Sequence, residues 1–293
     1  MQAADAACAG QTHPAAALYV VATPIGNLAD LTLRAIHVLG QADAVACEDT
    51  RVAARLLQHL GLHKPLLALH QHNEVEASEQ VLTRLAQGQR VAYVSDAGTP
   101  AISDPGAVLV KRVRAAGHRV LPLPGASSVL VALSAAGDER GLGFVFVGFL
   151  PPKAGEREAA LVALAADART QVLLEAPHRI AALLQALAQA AGGRPVTVAR
   201  ELTKQFESIV TLPAHELPAW LAADADRQRG EFVIVLHALA PAAVTADALP
   251  AAAEAMLQVL LAELPLKQAV ALAAQLSGAP RNALYSRALA LRA

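Results

Sequence analysis

One pattern recurs five times between Leu18 and Gly137: a short apolar run, a polar loop, and a helix-like stretch usually stopped by glycine. Apolar runs of four to six residues bounded by turn residues read as strands buried on both faces, which is how parallel strands look in sequence. Residues 18–22, 42–47, 66–69, 91–94 and 119–123 predict those strands. The stretches between them predict helices over 31–40 and 52–60, then helices ending at Leu85 and Ala116, and one starting after Ser128. Such alternation allows an α/β fold with a parallel sheet covered by helices on both sides.

Residues 90–106, RVAYVSDAGTPAISDPG, carry this logic most sharply. The strand pattern Val91 to Val94 stops at Ser95, and Gly98 and Pro100 keep residues 95–103 from continuing a strand or a helix. Asp104 and Pro105 then predict an N-cap and a first helical position. A loop at the carboxyl end of a strand is where open α/β sheets bind ligands.

After the polar, glycine-rich segment 137–143 the pattern changes, and a boundary is predicted near Gly143. Residues 18–143 read as one α/β domain and 144–238 as a second. Strands are expected over 144–149, 171–175, 196–200, 207–212 and 231–237, with helices over 156–166, 177–191 and 213–222. The short connection 202–206 predicts an antiparallel hairpin and hence a mixed second sheet. Residues 239–248 read as a Pro and Ala linker, and 249–293 as a helical C-terminal module with helices over 252–263, 266–276 and 280–291, of helix-turn-helix type. Residues 1–17 lack the basic start and apolar block of a secretory signal and read as a disordered tail.

Bulk properties narrow the function. A formal net charge of −1 gives no global basic field, although a local basic rim suffices for RNA. No apolar run reaches the roughly 18 residues expected of a spanning helix. Cys8 and Cys47 have no disulfide or metal spacing, which points to a reduced, cytoplasmic setting.

Polar residues collect after the strands, at 23–27, 48–51, 70–74, 95–103, 127–128, 175–179 and 200–204. Each cluster has an ordinary reading. Asn27, Asp49 or Thr50 can cap helices, and residues 175–179, EAPHR, can be a strand end with a Pro-initiated helix. Arg51 is unfavourable at a helix start, so capping alone does not account for it. His70 and His72 form an H-x-H pair without a third ligand at matching spacing, so a polar substrate wall with Asn73 and Glu74 is favoured over a metal. Neither a G-x-G-x-x-G fingerprint nor a P-loop is present. Arg200, Glu201, Thr203 and Lys204 gather two cations and a carboxylate on one connection, a pattern suited to a phosphodiester backbone.

The segments TPIGNLAD, EDTR, HNE, SDAGTPAISDPG, PGAS, GFLPPK, EAPHR, RELTK and RGE, in that order, resemble the tetrapyrrole-methylase superfamily, and within it the branch that methylates ribosomal RNA. The likeness runs from about Leu18 to the C-terminus. Where the porphyrinoid members carry G-x-G-P-G and G-D-P, this chain has Thr23 to Gly26 and Ser95 to Ala97, which favours the RNA branch. PGASS is a milder departure from the family's loop. The resemblance implies a two-lobed fold, a homodimer, and S-adenosylmethionine held between the lobes by Ile25, Gly26, Ser95, Asp96, Ala97, Ile102, Ser127, Ser128, Glu175 and Ala176. The implied reaction is 2′-O-methylation of a decoding-site cytidine in small-subunit ribosomal RNA, on the free RNA or the small-subunit particle.

Such a transfer is an in-line displacement that needs alignment and a group to take the hydroxyl proton. Lys204, Glu201, Asp49 and Glu74 are the candidates for that group. Arg51, His72, Asn73, Arg179, Arg200 and Lys204 are the candidates for holding RNA. A methylase of small tetrapyrrole-like rings is the rival reading, and it predicts an enclosed apolar cavity with few cations.

Overall fold

In the computed structural model, which describes residues 1–239 and 249–292, the first half forms a five-stranded sheet. Its strands are β1 (Ala17–Val21), β2 (Ala44–Cys47), β3 (Leu66–Ala68), β4 (Val91–Val94) and β5 (Arg119–Leu123). All pairings are parallel, in the order β3-β2-β4-β1-β5. Every residue of β1, β2 and β4 is buried, as continuous apolar runs require. Helices α1 (Gln2–Ala7), α2 (Leu33–Gln41), α3 (Thr50–His59), α4 (Glu74–Ala86), α5 (Ala107–Ala115) and α6 (Ser128–Ala136) complete this half. One face of the sheet packs on α2 and α3 through Tyr19, Val45 and Leu57; the other packs on α4 and α5 through Tyr93, Val81 and Leu109.

Three local expectations change. Residues 1–17 are not a disordered tail: α1 packs on α2, burying Ala4 and Cys8, and Asp5 Oδ1 lies 2.8 Å from His37 Nδ1. The second helix starts at Leu33 because the Thr32 hydroxyl accepts the Ala35 N–H at 3.1 Å, after a 3₁₀ turn over Leu28–Asp30. Asp104 does not cap α5. That helix starts at Ala107, and the Glu74 carboxylate reaches over from α4 to accept the Gly106 and Val108 N–H groups at 3.1 and 3.3 Å. Gly106 sits at φ +122°, and a Cβ there would lie 2.3 Å from the Tyr93 ring, so only glycine fits.

The second sheet is mixed, as the hairpin predicts. Strands β6 (Phe144–Phe149), β7 (Thr170–Glu175), β8 (Pro195–Arg200), β9 (Ser208–Pro213) and β10 (Phe232–Leu236) lie in the order β6-β7-β10-β8-β9. Only β6 and β7 pair in parallel. Helices α7 (Ala154–Ala166), α8 (Ile180–Ala191) and α9 (Leu217–Ala222) cover one face; α8 begins three residues after Pro177, and a 3₁₀ turn over Ala214–Glu216 precedes α9. The other face is covered by α6, whose Val129, Ala132 and Ala136 meet Val172, Ala199, Val233 and Val235. Helix α6 therefore follows the first sheet in sequence but packs in the core of the second.

Residues 1–238 form one compact unit and 239–293 another. Residues 240–248 of the expected linker lie outside the described residues. The second unit holds α10 (Ala251–Glu263), α11 (Leu266–Ser277) and α12 (Arg281–Arg292) around Leu257, Val270, Ala273 and Leu284. Among the described residues no helix is long and apolar enough to cross a membrane.

Candidate active site

Strand order decides which loops meet. Because β1 lies between β4 and β5, the loops after β4, β1 and β5 stand side by side. Thr23 and Gly98 join two of them through paired backbone hydrogen bonds of 2.9 and 3.0 Å. The Thr23 hydroxyl donates to the Ser95 carbonyl at 3.1 Å, and the Thr99 hydroxyl to the Ala126 carbonyl at 3.0 Å. These bonds fix three loops as one wall.

The second sheet supplies the facing wall. Strand β10 runs antiparallel to both neighbours, with Phe232 opposite Glu175 on β7 and Arg200 on β8. The start of β10 therefore shares an edge with the ends of β7 and β8. Between the walls lies a cavity of about 400 Å³, with Ile25, Ile102, Phe146, Phe149, Leu202 and Val233 as apolar lining and Asp104, Glu175 and Glu231 as its carboxylates. Among the described residues no lysine, arginine or histidine lines it.

Of the residues expected to hold a cofactor, Ile25, Ala97, Ile102, Ser127, Ser128, Glu175 and Ala176 line this cavity, and Gly26, Ser95 and Asp96 do not. Gly26 instead lets the other lobe approach: a Cβ there would lie 2.4 Å from Lys204 Cγ. Ser95 is buried, and its hydroxyl faces the Ala97 and Gly98 carbonyls, each at 3.3 Å. Asp96 Oδ1 accepts the Asp49 N–H at 3.0 Å, bracing the loop after β2.

Glu175 is the most constrained group in the lining. Its side chain is 0% exposed, Oε1 accepts the Ala176 N–H at 2.9 Å, and Arg179 Nε stands 3.1 Å from the same oxygen. Oε2 is buried with no partner. A buried acceptor without a donor is costly, about 1–3 kcal/mol, so this atom marks a place where a ligand would supply one.

The expected proton acceptors are all engaged outside the cavity lining. Asp49 caps α3 and grips Arg51 through contacts of 2.6 to 3.2 Å. The hydrogen bonds from the Arg51 side chain and backbone hold its carboxyl at about 2. Glu74 caps α5. Lys204 Nζ lies 2.9 Å from Glu201 Oε1 and 3.0 Å from Glu231 Oε2. Burial works to lower the Lys204 ammonium, but these two carboxylates outweigh it and raise it above its usual value. Burial likewise works to raise Glu201, and the Lys204 hydrogen bond and Glu231 N–H overcome it, leaving Glu201 below the usual carboxylate range. Glu201 and Thr203 both adopt positive φ, +51° and +66°, backbone strain of a kind that clusters at functional loops.

The expected RNA contacts also separate. Arg51 is 84% exposed at the side chain and free to meet solvent on one side of Asp49. His72 is exposed beside a shallow hollow formed by Gln71, Glu76 and Val108. His72 and Asn73 do not join the other clusters, because β3 is an edge strand three places from β1; of their cluster, Glu74 reaches across, to the start of α5. Asn73 is engaged within its own loop, accepting the His70 N–H at 2.8 Å and donating to the Ala68 carbonyl at 3.0 Å. Arg179 turns inward to Glu175 and to the Leu150 carbonyl at 2.7 Å. Arg200 contacts the Arg229 carbonyl at 3.4 Å, and its Nε is buried without a partner. Among the described residues no group of three His, Cys, Asp or Glu is placed to hold a metal ion.

Sequence reasoning misses Asp104, Phe146, Phe149 and residues 231–233. Asp104 looked like a cap, and β10 enters the site from its start, where a rule based on strand ends does not look. The Asp104 carboxyl is raised above its usual value by burial and by the nearby Asp96 charge, against a Ser95 hydrogen bond that lowers it. Glu48 is raised by burial and by Asp96, Asp104 and Asp49.

A family profile described as Tetrapyrrole (Corrin/Porphyrin) Methylases matches residues 17–218, and one described as RsmI C-terminal HTH domain matches residues 247–292. A protein of Pseudomonas aeruginosa named Ribosomal RNA small subunit methyltransferase I is 48% identical over 278 residues, covering 94% of this chain and 97% of the relative. Its namesake from Escherichia coli O157:H7 is 48% identical over 275 residues, covering 93% and 94%. Among solved structures, a cobalt precorrin-4 methyltransferase aligns with a TM-score of 0.56 at 22% identity, over 77% of this chain and 97% of the other. A uroporphyrin-III-C-methyltransferase from Thermus thermophilus aligns with a TM-score of 0.54 at 20% identity, over 76% and 94%. At those identities the two structures establish the shared fold.

Proposed function

The chain belongs to the tetrapyrrole methylases, in the family of ribosomal RNA small subunit methyltransferase I, and from that premise we propose that it transfers a methyl group from S-adenosylmethionine to the ribose 2′-hydroxyl of a decoding-site cytidine. The kinship carries the RNA assignment, and the cavity supports the donor. Its volume suits one nucleoside-sized ligand with apolar walls and few polar groups. The orphaned Glu175 Oε2 fits a ligand rich in hydroxyl and N–H donors, and three carboxylates in the lining favour a cationic one. When bound, the donor supplies an electrophilic methyl carbon on a positively charged sulfur.

The chain's own residues do the rest. Ile25, Ala97, Ile102, Ser127, Ser128, Glu175 and Ala176 form the donor's surroundings, and the apolar walls exclude water. Gly26, Ser95 and Asp96 act from behind, setting the loops. Arg51 meets phosphate at the surface, joined, after rearrangement of their present contacts, by Arg200 and Lys204. A basic rim of this kind positions RNA without reading its sequence. The homodimer implied by the resemblance and the cytoplasmic setting to which the two cysteines point are part of the same reading.

The test uses the full chain with methyl-labelled S-adenosylmethionine and, separately, small-subunit particles, free small-subunit RNA and a porphyrinoid. The expected result is label on the ribose of one cytidine. Label on a base overturns the 2′-O assignment, and label on the porphyrinoid alone overturns the RNA substrate.

A further inference from the structure

We infer that Asp104 is the catalytic residue that takes the hydroxyl proton from the nucleophile, a role that rests on the function proposed above. Position singles it out. Of the three carboxylates lining the cavity, Glu175 is held by Arg179 and the Ala176 N–H, and Glu231 is paired to Lys204. Among the described residues Asp104 has no ion pair and is met by the Ser95 hydroxyl alone, whose single proton also faces the Ala97 and Gly98 carbonyls. Glu74, Asp49, Glu201 and Lys204, the other candidates, cap helices or are locked in ion pairs and do not line the cavity.

The surroundings of Asp104 also make it a better base than an ordinary aspartate. Asp96 at the end of β4 and Glu48 at the end of β2 are like charges on the same flank, and the buried Tyr93 phenol lies beneath, bound to the Pro105 carbonyl. Glu74 approaches from α4 through Gly106. Burial and the Asp96 charge raise the carboxyl, and a stronger conjugate base takes a proton more readily in the transition state.

In the step, the ribose oxygen forms its bond to the methyl carbon while its proton passes to the Asp104 carboxylate. The carbon–sulfur pair stays on sulfur, leaving a neutral thioether and a protonated Asp104 that returns its proton to solvent.

Asp104→Asn removes the base and keeps the shape. Single-turnover methylation of small-subunit particles is expected to fall about 100-fold or more, while S-adenosylhomocysteine, which lacks the sulfonium charge, binds within about threefold of wild type. Asp104→Glu, which restores a carboxylate, is expected to recover part of the loss. In Asp96→Asn the acid limb of the rate profile is expected to move to lower pH, because loss of a like charge makes Asp104 easier to ionise. A wild-type rate in Asp104→Asn overturns the assignment, as does an S-adenosylhomocysteine affinity that falls in step with the rate, or an acid limb unmoved in Asp96→Asn. Those outcomes leave the proposed function standing, whereas a wild-type chain that labels no RNA ribose removes both.

Discussion

The two sheets of the first unit reach the same cavity by different routes. In the first sheet every strand is parallel, so each polar loop follows a strand and all of them emerge at one edge. In the second, β10 runs against β7 and β8, and the site takes residues from a strand start as well as from strand ends. The parallel half presents backbone loops laced by Thr23, Gly98 and Thr99, with Asp104 as its carboxylate in the lining, whereas the mixed half lines the cavity with Glu175 and Glu231 and pairs Glu231 with Lys204, itself bound to Glu201, outside the lining. One lobe is a rigid cradle of main chain; the other carries most of the ion pairs.

The largest expected effect breaks the cradle. Gly106→Ala combines a positive φ with a collision against the buried Tyr93 ring, and thermal unfolding should show a loss of about 3 kcal/mol or more. Gly230→Ala in the mixed half has a similar backbone, φ +91°, but its obstacle is the end of the Glu201 side chain. Displacing that chain costs its bonds to Lys204 and the Glu231 N–H but moves no core ring, so the loss should be smaller, about 1–2 kcal/mol. Equal losses would contradict the contrast between rigid and adjustable walls.

Acid separates the lobes next. Burial lowers His237, against the Asp138 charge, below the usual histidine value; it shares a buried network in which Thr197 lies 2.7 Å from Nε2. A histidine depressed in the folded state contributes stability that is full above about pH 6.5 and is lost as pH falls through the folded value. The raised Asp104 and Glu48 have the opposite sign: their contribution is present below the ordinary carboxylate range and is lost as pH rises through their folded values. In denaturant titrations followed by the single tryptophan, Trp220, which packs in the second lobe's core, His237 should lower stability at about pH 5.5 relative to about pH 7.5, with His13, which burial also lowers, and against the two raised carboxylates. In His237→Gln that difference should shrink, and an unchanged difference would assign the acid sensitivity elsewhere.

The smallest effect on the fold belongs to the surface. Arg51→Ala should leave the melting temperature unchanged, since an exposed ion pair contributes little. RNA affinity should fall with a shallower salt dependence, by roughly one phosphate contact. A salt slope identical to wild type would remove Arg51 from the RNA surface.

How much of this was legible in sequence follows from the same contrast. Apolar runs ended by glycine and polar loops revealed the parallel half, its loops and the hairpin of the mixed half. Strand order was not legible, because apolar runs such as Leu66 to Leu69 and Val91 to Val94 do not state their neighbours. That order puts the loop after β3, with His72 and Asn73, away from the cavity. Asp104 was hidden because an Asp-Pro pair reads as a helix start; the cap came instead from Glu74, thirty residues earlier in the chain. Arg179 was expected to hold RNA, but the strand end preceding it is buried, and Glu175 draws it inward. Helix α1 went unseen because a stretch of small alanines carries little periodic signal.

The central claim is that the cavity between the lobes holds the methyl donor and that Glu175 from the mixed sheet accepts one of its donor groups. Calorimetric titration of S-adenosylhomocysteine into the wild-type chain and into Glu175→Gln tests it directly. Wild-type binding weakened about tenfold or more by the substitution, in a variant that still folds, is the predicted result. Equal affinities for the two proteins, or no binding to the wild type, would contradict it.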